Sequence, residues 1–168
     1  KDSIQIIGHG GGINGFNTLI TRMPQEKSTV ILLNNTGRAP LDDITIAING
    51  ILHGTTYDLP KQSLADLVFN EIMDKDLKAG LAFYEKNKGS KEYSYSESAM
   101  NSMGYNLLQS GKKQEAEAVF KLNVEAFPNS SNVYDSYGEA LMEQGKNELA
   151  IVNYKKSVEL NPANQHGM

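Results

Sequence analysis

The pattern of apolar and polar residues changes character once along this chain. Before residue 36 it is typical of β-strands, with runs that are β-branched or alternate between apolar and polar positions. These runs are residues 3–7, 16–23 and 28–35. The segments that join them, 10–15 and 23–27, are short enough to be hairpin connections. The pattern therefore predicts three antiparallel strands.

Beyond residue 39 the apolar residues recur at helical spacing. Pro40 suits a first helical turn, Asp42 and Asp43 suit its positive end, and Gly54 can end the helix. The apolar positions expected to face a core are Ile44, Ala47, Ile48 and Ile51. Residues 55–62 have the composition of a linker, after which Ser63 can cap the first of a series of helices. We therefore expect an α+β N-terminal part, three antiparallel strands and a helix, followed by an all-α part.

Two stretches of the last third superimpose with a fixed offset of 34 residues. The matching pairs are Gly104 and Gly138, Gly111 and Gly145, Ala116 and Ala150, Phe120 and Tyr154, and Pro128 and Pro162. A glycine inside a helix costs about 1 kcal/mol relative to alanine, so it needs a packing reason. We expect the small residues to let paired helices approach closely. We expect the two aromatic rings to fill the space between neighbouring hairpins.

This period and these positions resemble the tetratricopeptide repeat (TPR) family over roughly residues 94–163. Ala79 and Phe83 match the family's Ala-x3-Phe element upstream and predict a degenerate helical hairpin there. Ser94 and Glu97 are spaced as a capping box for the next helix. The resemblance implies a superhelical array that binds a protein or peptide partner.

By the resemblance, the first helix of each hairpin lines a groove that faces the partner. The candidate binding residues on these helices are Ser98, Asn101, Tyr105, Asn132, Asp135, Glu139 and Glu143. Chaperone-binding members of the family clamp a terminal carboxylate with lysines and asparagines, whereas the second repeat here is acidic. Repulsion of a carboxylate favours a basic or polar peptide. The alternative is that these residues form an ordinary solvated helix face.

The glycine-rich segment that begins at His9, followed by two strands, residues 35–37 and a helix, carries a second resemblance. Residues 3–54 resemble the C-terminal portion of the serine β-lactamase and penicillin-binding-protein superfamily. The resemblance implies that His9 faces a nucleophile, that Gly11 lets substrate lie along the strand, and that the Gly12 N–H forms half of an oxyanion hole. The alternative for His9 is a histidine that hydrogen-bonds to nearby carbonyls.

The remaining catalytic boxes of that superfamily are missing. Residues 110–113 fit Ser-x-x-Lys but fall in the turn of the first repeat, and neither Ser-Asp-Asn nor Tyr-x-Asn occurs. Our main expectation is therefore a C-terminal fragment of such a hydrolase, not catalytic by itself, with a TPR appendage. A stand-alone TPR adaptor is the alternative. The hydrolase resemblance implies a periplasmic or extracellular parent, with an export signal before Lys1.

Composition narrows the possible ligands. The net charge of −4 and a pI near 5.4 argue against nucleic acid. There is no cysteine, and His9, His53 and His166 are far apart, so we expect neither a metal site nor a cofactor. The longest apolar run, 30–33, is too short for a membrane span.

The expected domains are residues 1–58, 59–93 (a linker and the degenerate hairpin) and 94–168 (two repeats). The strand at 28–35 is expected to have an unpaired edge, which predicts a homo-oligomer formed by strand pairing.

Overall fold

The computed structural model of this chain describes residues 5–35 and 39–164. The motif positions Thr36 and Gly37, and also His166, lie outside the described residues. The chain divides into two compact units, with the boundary between Pro60 and Lys61. The finer division at residues 58 and 93 remains a prediction.

The described part of the first unit contains a three-stranded antiparallel sheet in the order β1-β2-β3, as predicted. Its strands are β1 (Ile7–Ile13), β2 (Phe16–Met23) and β3 (Ser28–Asn34). Gly15, with φ of +82°, supplies the left-handed residue that the tight β1–β2 turn requires. A 3-10 turn over Pro24–Glu26 joins β2 to β3.

The first strand was predicted at residues 3–7, of which Ser3 and Ile4 lie outside the described residues and Gln5 and Ile6 precede the observed strand. The strand begins at Ile7 and includes the glycine run, which had been assigned to the connection between strands. Gly10 lies opposite Leu19, and Gly11 lies opposite Thr18. A sheet is paired through backbone groups, so a strand with few side chains still forms when a well-patterned neighbour pairs with it.

Helix α1 (Leu41–His53) begins after Pro40 and ends at Gly54, which has φ of +63°. It contacts β2, but its buried face differs from the predicted one. Ala47 is buried as expected, whereas Ile51 is exposed. The buried set is Leu41, Thr45, Ala47 and Gly50. A Cβ added at Gly50 would lie 2.7 Å from Cβ of Tyr57, so the chain after the helix packs against this glycine.

The second unit is built from helical hairpins, which confirms the predicted all-α array. Its helices are α2 (Leu64–Asp74), α3 (Leu77–Asn87), α4 (Glu97–Gln109), α5 (Lys113–Ala126), α6 (Ser131–Met142) and α7 (Asn147–Leu160). Successive helices pair as α2 with α3, α4 with α5, and α6 with α7. No helix in the described residues is long and apolar enough to cross a membrane.

Serine caps the start of two first helices. Ser63 accepts a hydrogen bond from the Asp66 N–H and caps α2, as predicted. The predicted cap of α4 is wrong, because Ser96 accepts from the Ala99 N–H while Ser94 lies in a short strand. That strand, β5 (Tyr93–Ser94), pairs in parallel with β4 (Gln62–Ser63). The apolar pattern gave no signal for this bridge.

The 34-residue repeat corresponds to close packing within each hairpin. A Cβ at Gly104 would lie 2.5 Å from Cζ of Phe120, and one at Gly138 would lie 3.0 Å from Cδ1 of Tyr154. The need for small residues is therefore confirmed. Each ring lies against the glycine of its own hairpin. That the rings also fill the space between hairpins stays a prediction.

The first hairpin keeps the same kind of packing in a shifted register. Gly80 and Tyr84 are buried on α3, whereas Ala79 and Phe83, the pair matched by sequence, are only half-buried. A Cβ at Gly80 would overlap the Ile72 side chain of α2. A residue without a Cβ is therefore required at Gly80.

Candidate functional site

The first helices of the three hairpins are neighbours in the second unit. Helix α2 contacts α4, and α4 contacts α6, while each also packs on its own second helix. We call the surface formed by α2, α4 and α6 the first-helix face. All seven residues predicted to bind a partner lie on α4 and α6 or at the C-terminal end of α6.

Charge is segregated between the first and second helices. The first helices α2, α4 and α6 contain no lysine, arginine or histidine. Their acidic residues are Asp66, Glu71, Asp74, Glu97, Asp135 and Glu139. Helices α3, α5 and α7 each contain both acidic and basic residues. The first-helix face therefore carries one sign of charge, although Lys75, just beyond α2, pairs with Glu71 at 2.7 Å.

Tyr105 joins α4 to α6 near the middle of this face. Its hydroxyl donates a hydrogen bond of 2.7 Å to Oε2 of Glu139 and lies 3.2 Å from Oγ of Ser136. Its ring and that of Phe120 form an edge-to-face pair, with the ring centroids 5.2 Å apart. Burial, reinforced by the Glu139 carboxylate, raises the pKa of Tyr105 to about 12. The phenol therefore stays protonated and can serve as a hydrogen-bond donor across the physiological pH range.

A second tyrosine shares the same acidic surroundings. Burial raises the pKa of Tyr154 on α7, and the negative charges of Asp135 and Glu139 raise it further. The negative charge of Asp135 also raises the pKa of Tyr105. Two carboxylates and two phenols are therefore close together. We call Tyr105, Asp135, Ser136, Glu139 and Tyr154 the tyrosine–acid cluster.

The other predicted binding residues lie on the same helices but make different contacts. The Ser98 hydroxyl is 3.3 Å from that of Ser96, and the Asn132 amide donates to the Glu97 carboxylate at 3.0 Å. Oδ1 of Asn101 is buried and has no hydrogen-bond partner among the described residues. Its acceptor capacity is therefore unused within the described chain.

Glu143 lies outside the tyrosine–acid cluster. Its carboxylate is 3.5 Å from Nζ of Lys113, and the same ammonium donates to the Glu143 carbonyl at 3.0 Å. The structure thus brings together Tyr105, Asp135 and Glu139, and pairs Glu143 with α5.

Sequence reasoning missed Ser136 and Tyr154. Tyr154 had been assigned only to packing, and Ser136 lies next to a residue that had been selected. A usable signal was present, since Tyr105 and Glu139 are 34 residues apart and so occupy equivalent positions in successive repeats. Equivalent positions on stacked first helices lie side by side.

The glycine motif of the first unit lies on a strand at the edge of the described sheet. His9 and Gly12 are exposed on β1, opposite Ile20 and Asn17 respectively. A Cβ at Gly11 would lie 3.0 Å from Oγ1 of Thr18, which supplies a local packing reason for this glycine. Neither His9 nor Gly12 lines the open cavity of 520 Å³ beside β1. Its lining includes Gly10, Gly11, Thr18, Pro40 and Asp42.

The described residues contain no group of three or more histidine, aspartate or glutamate side chains arranged to hold a metal ion.

Comparison with protein families identifies one tetratricopeptide repeat, at residues 131–164, which covers α6 and α7. Comparison with curated proteins gives no match. None of the comparisons supports the resemblance of residues 3–54 to the serine β-lactamase superfamily.

Solved structures with similar folds include three helical-repeat complexes or domains. The first TPR of Spaghetti (RPAP3), bound to the HSP90 peptide SRMEEVD, is 19% identical over 62% of this chain and 81% of its own, with a TM-score of 0.42. The first TPR domain of human RPAP3 is also 19% identical over 62% and 80%, with a TM-score of 0.43. PcrH, in complex with the chaperone-binding region of PopB, is 13% identical over 62% and 82%, with a TM-score of 0.41.

Proposed function

We propose that the helical unit is a TPR-type interaction module that binds a basic or polar peptide on its first-helix face. The observation that carries the proposal is the absence of any basic residue from α2, α4 and α6, each of which contains acidic residues. The tetratricopeptide repeat at residues 131–164 supports it, because repeats of this family serve as binding surfaces.

The tyrosine–acid cluster supplies the chemistry for recognising a lysine or arginine side chain. Asp135 and Glu139 would attract the cation, and their proximity to half-buried phenols reduces the screening that solvent provides. Tyr105 and Tyr154 would add flat aromatic contact area, against which a guanidinium or ammonium packs favourably. The cluster would therefore hold one basic side chain of the peptide.

The polar residues around the cluster would contact the peptide backbone. Ser98 and Asn132 can donate or accept hydrogen bonds at the edge of the face. Glu143 would contribute less, because Lys113 already neutralises it.

Two peptides that differ only in charge test this function. The acidic one is SRMEEVD, the HSP90 sequence held by the first TPR of Spaghetti, and the basic one replaces its acidic residues with lysine. Fluorescence anisotropy with the full chain should detect binding of the basic peptide, weaker at high salt, and no binding of the acidic one. Equal binding of both would contradict the proposal.

A pair of matched variants tests which carboxylate contributes to binding of the basic peptide. Loss of one attractive charge contact in Glu139→Gln should weaken basic-peptide binding about tenfold, the equivalent of 1.4 kcal/mol. The control is Glu159→Gln, which removes an acid on α7 that pairs with Lys156 at 3.2 Å. It should leave the affinity unchanged, and an equal loss in both variants would reject the first-helix face.

A second candidate function concerns the β unit. Residues 3–54 as the C-terminal piece of a serine hydrolase remain a hypothesis, favoured by one observation: Gly10 and Gly11 of the glycine motif line an open cavity. The missing nucleophile and base predict that this chain by itself turns over neither a chromogenic cephalosporin nor a nitrophenyl ester. Stoichiometric acylation of a serine would overturn that expectation.

A further inference from the structure

Strand β3 leaves one edge of the sheet open. It pairs with β2 on one side, and no other strand in the described residues pairs with it on the other. Its sequence from Ser28 to Asn34 contains no charged residue, proline or glycine. Natural edge strands are commonly protected by such residues against pairing with another chain, and β3 has none of these protections.

The same strand contributes to an exposed apolar surface. Ile31 and Leu33 are 62% and 79% exposed, whereas Val30, which points to the opposite face of the sheet, is buried. Ile20 lies directly opposite Ile31 on β2 and is also exposed. A strand added beside β3 would therefore gain both backbone hydrogen bonds and apolar contacts.

The β unit has little buried apolar surface of its own. The buried apolar side chains in its described residues are Met23, Val30, Leu41 and Ala47. A unit of this size buries a small fraction of its surface, and small sheets gain stability from further strands or packed faces. An additional strand would supply burial that the unit lacks.

We propose that β3 pairs antiparallel with β3 of a second copy, to form a symmetric dimer with a continuous six-stranded sheet. The fully overlapped register centres on Ile31, which faces Ile31 of the second copy, while Thr29 faces Leu33. An uncharged strand offers nothing to attract a charged partner and nothing to repel its own copy. A two-fold pairing also forms a closed dimer in one association step, because the open β3 edges of both copies are then paired with each other.

Measurement of the molecular mass of the complete chain in solution tests the proposed dimer. Light scattering from micromolar to millimolar concentration should give a mass that rises to twice that of the chain. Ile31→Lys should hold the mass at one copy. The matched control is Ile46→Lys on α1, since Ile46 is also 62% exposed. A monomer at every concentration, or equal effects of the two variants, would overturn the proposal.

Introduced cysteines test the register, because the chain contains none of its own. Cross-strand neighbours have Cα atoms about 4.5–5.5 Å apart, within the range that a disulfide spans. Oxidation should link Ile31→Cys to itself but leave Thr29→Cys unlinked, and a mixture of Thr29→Cys with Leu33→Cys should form the mixed dimer. Efficient self-linkage of Thr29→Cys, or failure of Ile31→Cys to link, would reject this pairing.

Discussion

The side-chain amide of Asn123 donates a hydrogen bond of 3.2 Å to the backbone carbonyl of Glu97, and so ties the end of α5 to the start of α4. Ser157, 34 residues later, donates to the Ser131 carbonyl at 2.8 Å in the equivalent place of the next hairpin. Both side chains are fully buried. Each repeat is thus closed by one buried polar contact from its second helix to the first residue of its first helix.

Removal of this contact should destabilise the helical unit. Asn123→Ala removes this hydrogen bond and the packing of a fully buried side chain, and should cost about 0.5–3 kcal/mol of unfolding free energy. Urea denaturation measures the loss. The control is Asn153→Ala, whose exposed amide bonds only within its own helix, to the Leu149 carbonyl. An equal loss in both variants would mean that the interhelical contact contributes nothing of its own.

The two equivalent helix glycines should differ in their tolerance of a methyl group. Alanine gains about 1 kcal/mol of helix propensity over glycine, but overpacking costs about 1–3 kcal/mol. Gly104→Ala pushes on the fully buried ring of Phe120 and should lower the melting temperature. Gly138→Ala meets Tyr154 at a longer distance, and that half-buried ring can shift, so its effect should be smaller.

The control for this pair is Gly89→Ala, because a Cβ there meets no heavy atom within 4 Å. The melting temperature of the Gly89→Ala variant should not fall. A greater loss at Gly138 than at Gly104 would contradict the packing described for the two hairpins.

His53 should make the β unit sensitive to pH. Nε2 lies 2.6 Å from the Glu26 carboxylate, and Nδ1 lies 2.6 Å from the Asn49 carbonyl. Both partners are acceptors, so only the imidazolium can donate to both. The hydrogen bond to Glu26, followed by the bond to Asn49, raises the pKa of His53 above its usual 6.5.

A raised folded-state pKa fixes the direction of the pH effect. The stabilisation is complete below pH 6.5, the unfolded value, and is lost as the pH rises through the folded-state pKa. An NMR titration should show Glu26→Gln lowering the pKa of His53, while Glu92→Gln, in the other compact unit, leaves it unchanged. A His53 pKa that does not respond to Glu26→Gln would refute the pairing.

The helical half should fold without the β half. Residues 61–168 form a compact unit of three hairpins, and repeat arrays are stabilised by contacts between neighbours. This segment alone should give a strongly helical circular dichroism spectrum and a cooperative melt. A featureless spectrum would show that the β half is required as a cap.

The sequence was informative where packing depends on side chains that recur. Gly104 and Phe120 could be found because their counterparts stand 34 residues later. The cap of α4 could not, because Ser94 and Ser96 both suit a helix start and the choice depends on a distant contact. Ser94 pairs with Ser63 in the short parallel bridge, so the helix begins after Ser96.

The candidate site, like the fold, could be predicted from the sequence only in part. Asp135 and Glu139 are four residues apart and therefore share a face of one helix. Tyr154 joins them from another helix, and its place depends on how α7 packs against α6, which no local pattern specifies. The strand over the glycine run was missed for a related reason, since backbone pairing with β2 defines it and its own side chains do not.

The most direct test of peptide binding is to map which backbone amides change their NMR chemical shifts when a peptide binds. Backbone amide NMR spectra of the full chain should be recorded during titration with the lysine-substituted peptide. The account predicts the largest shifts around Asn101, Tyr105, Asp135, Glu139 and Tyr154. It predicts little change at the exposed residues Lys121 of α5 and Glu159 of α7. Shifts confined to the second helices or to the β unit, or none at saturating peptide, would contradict it.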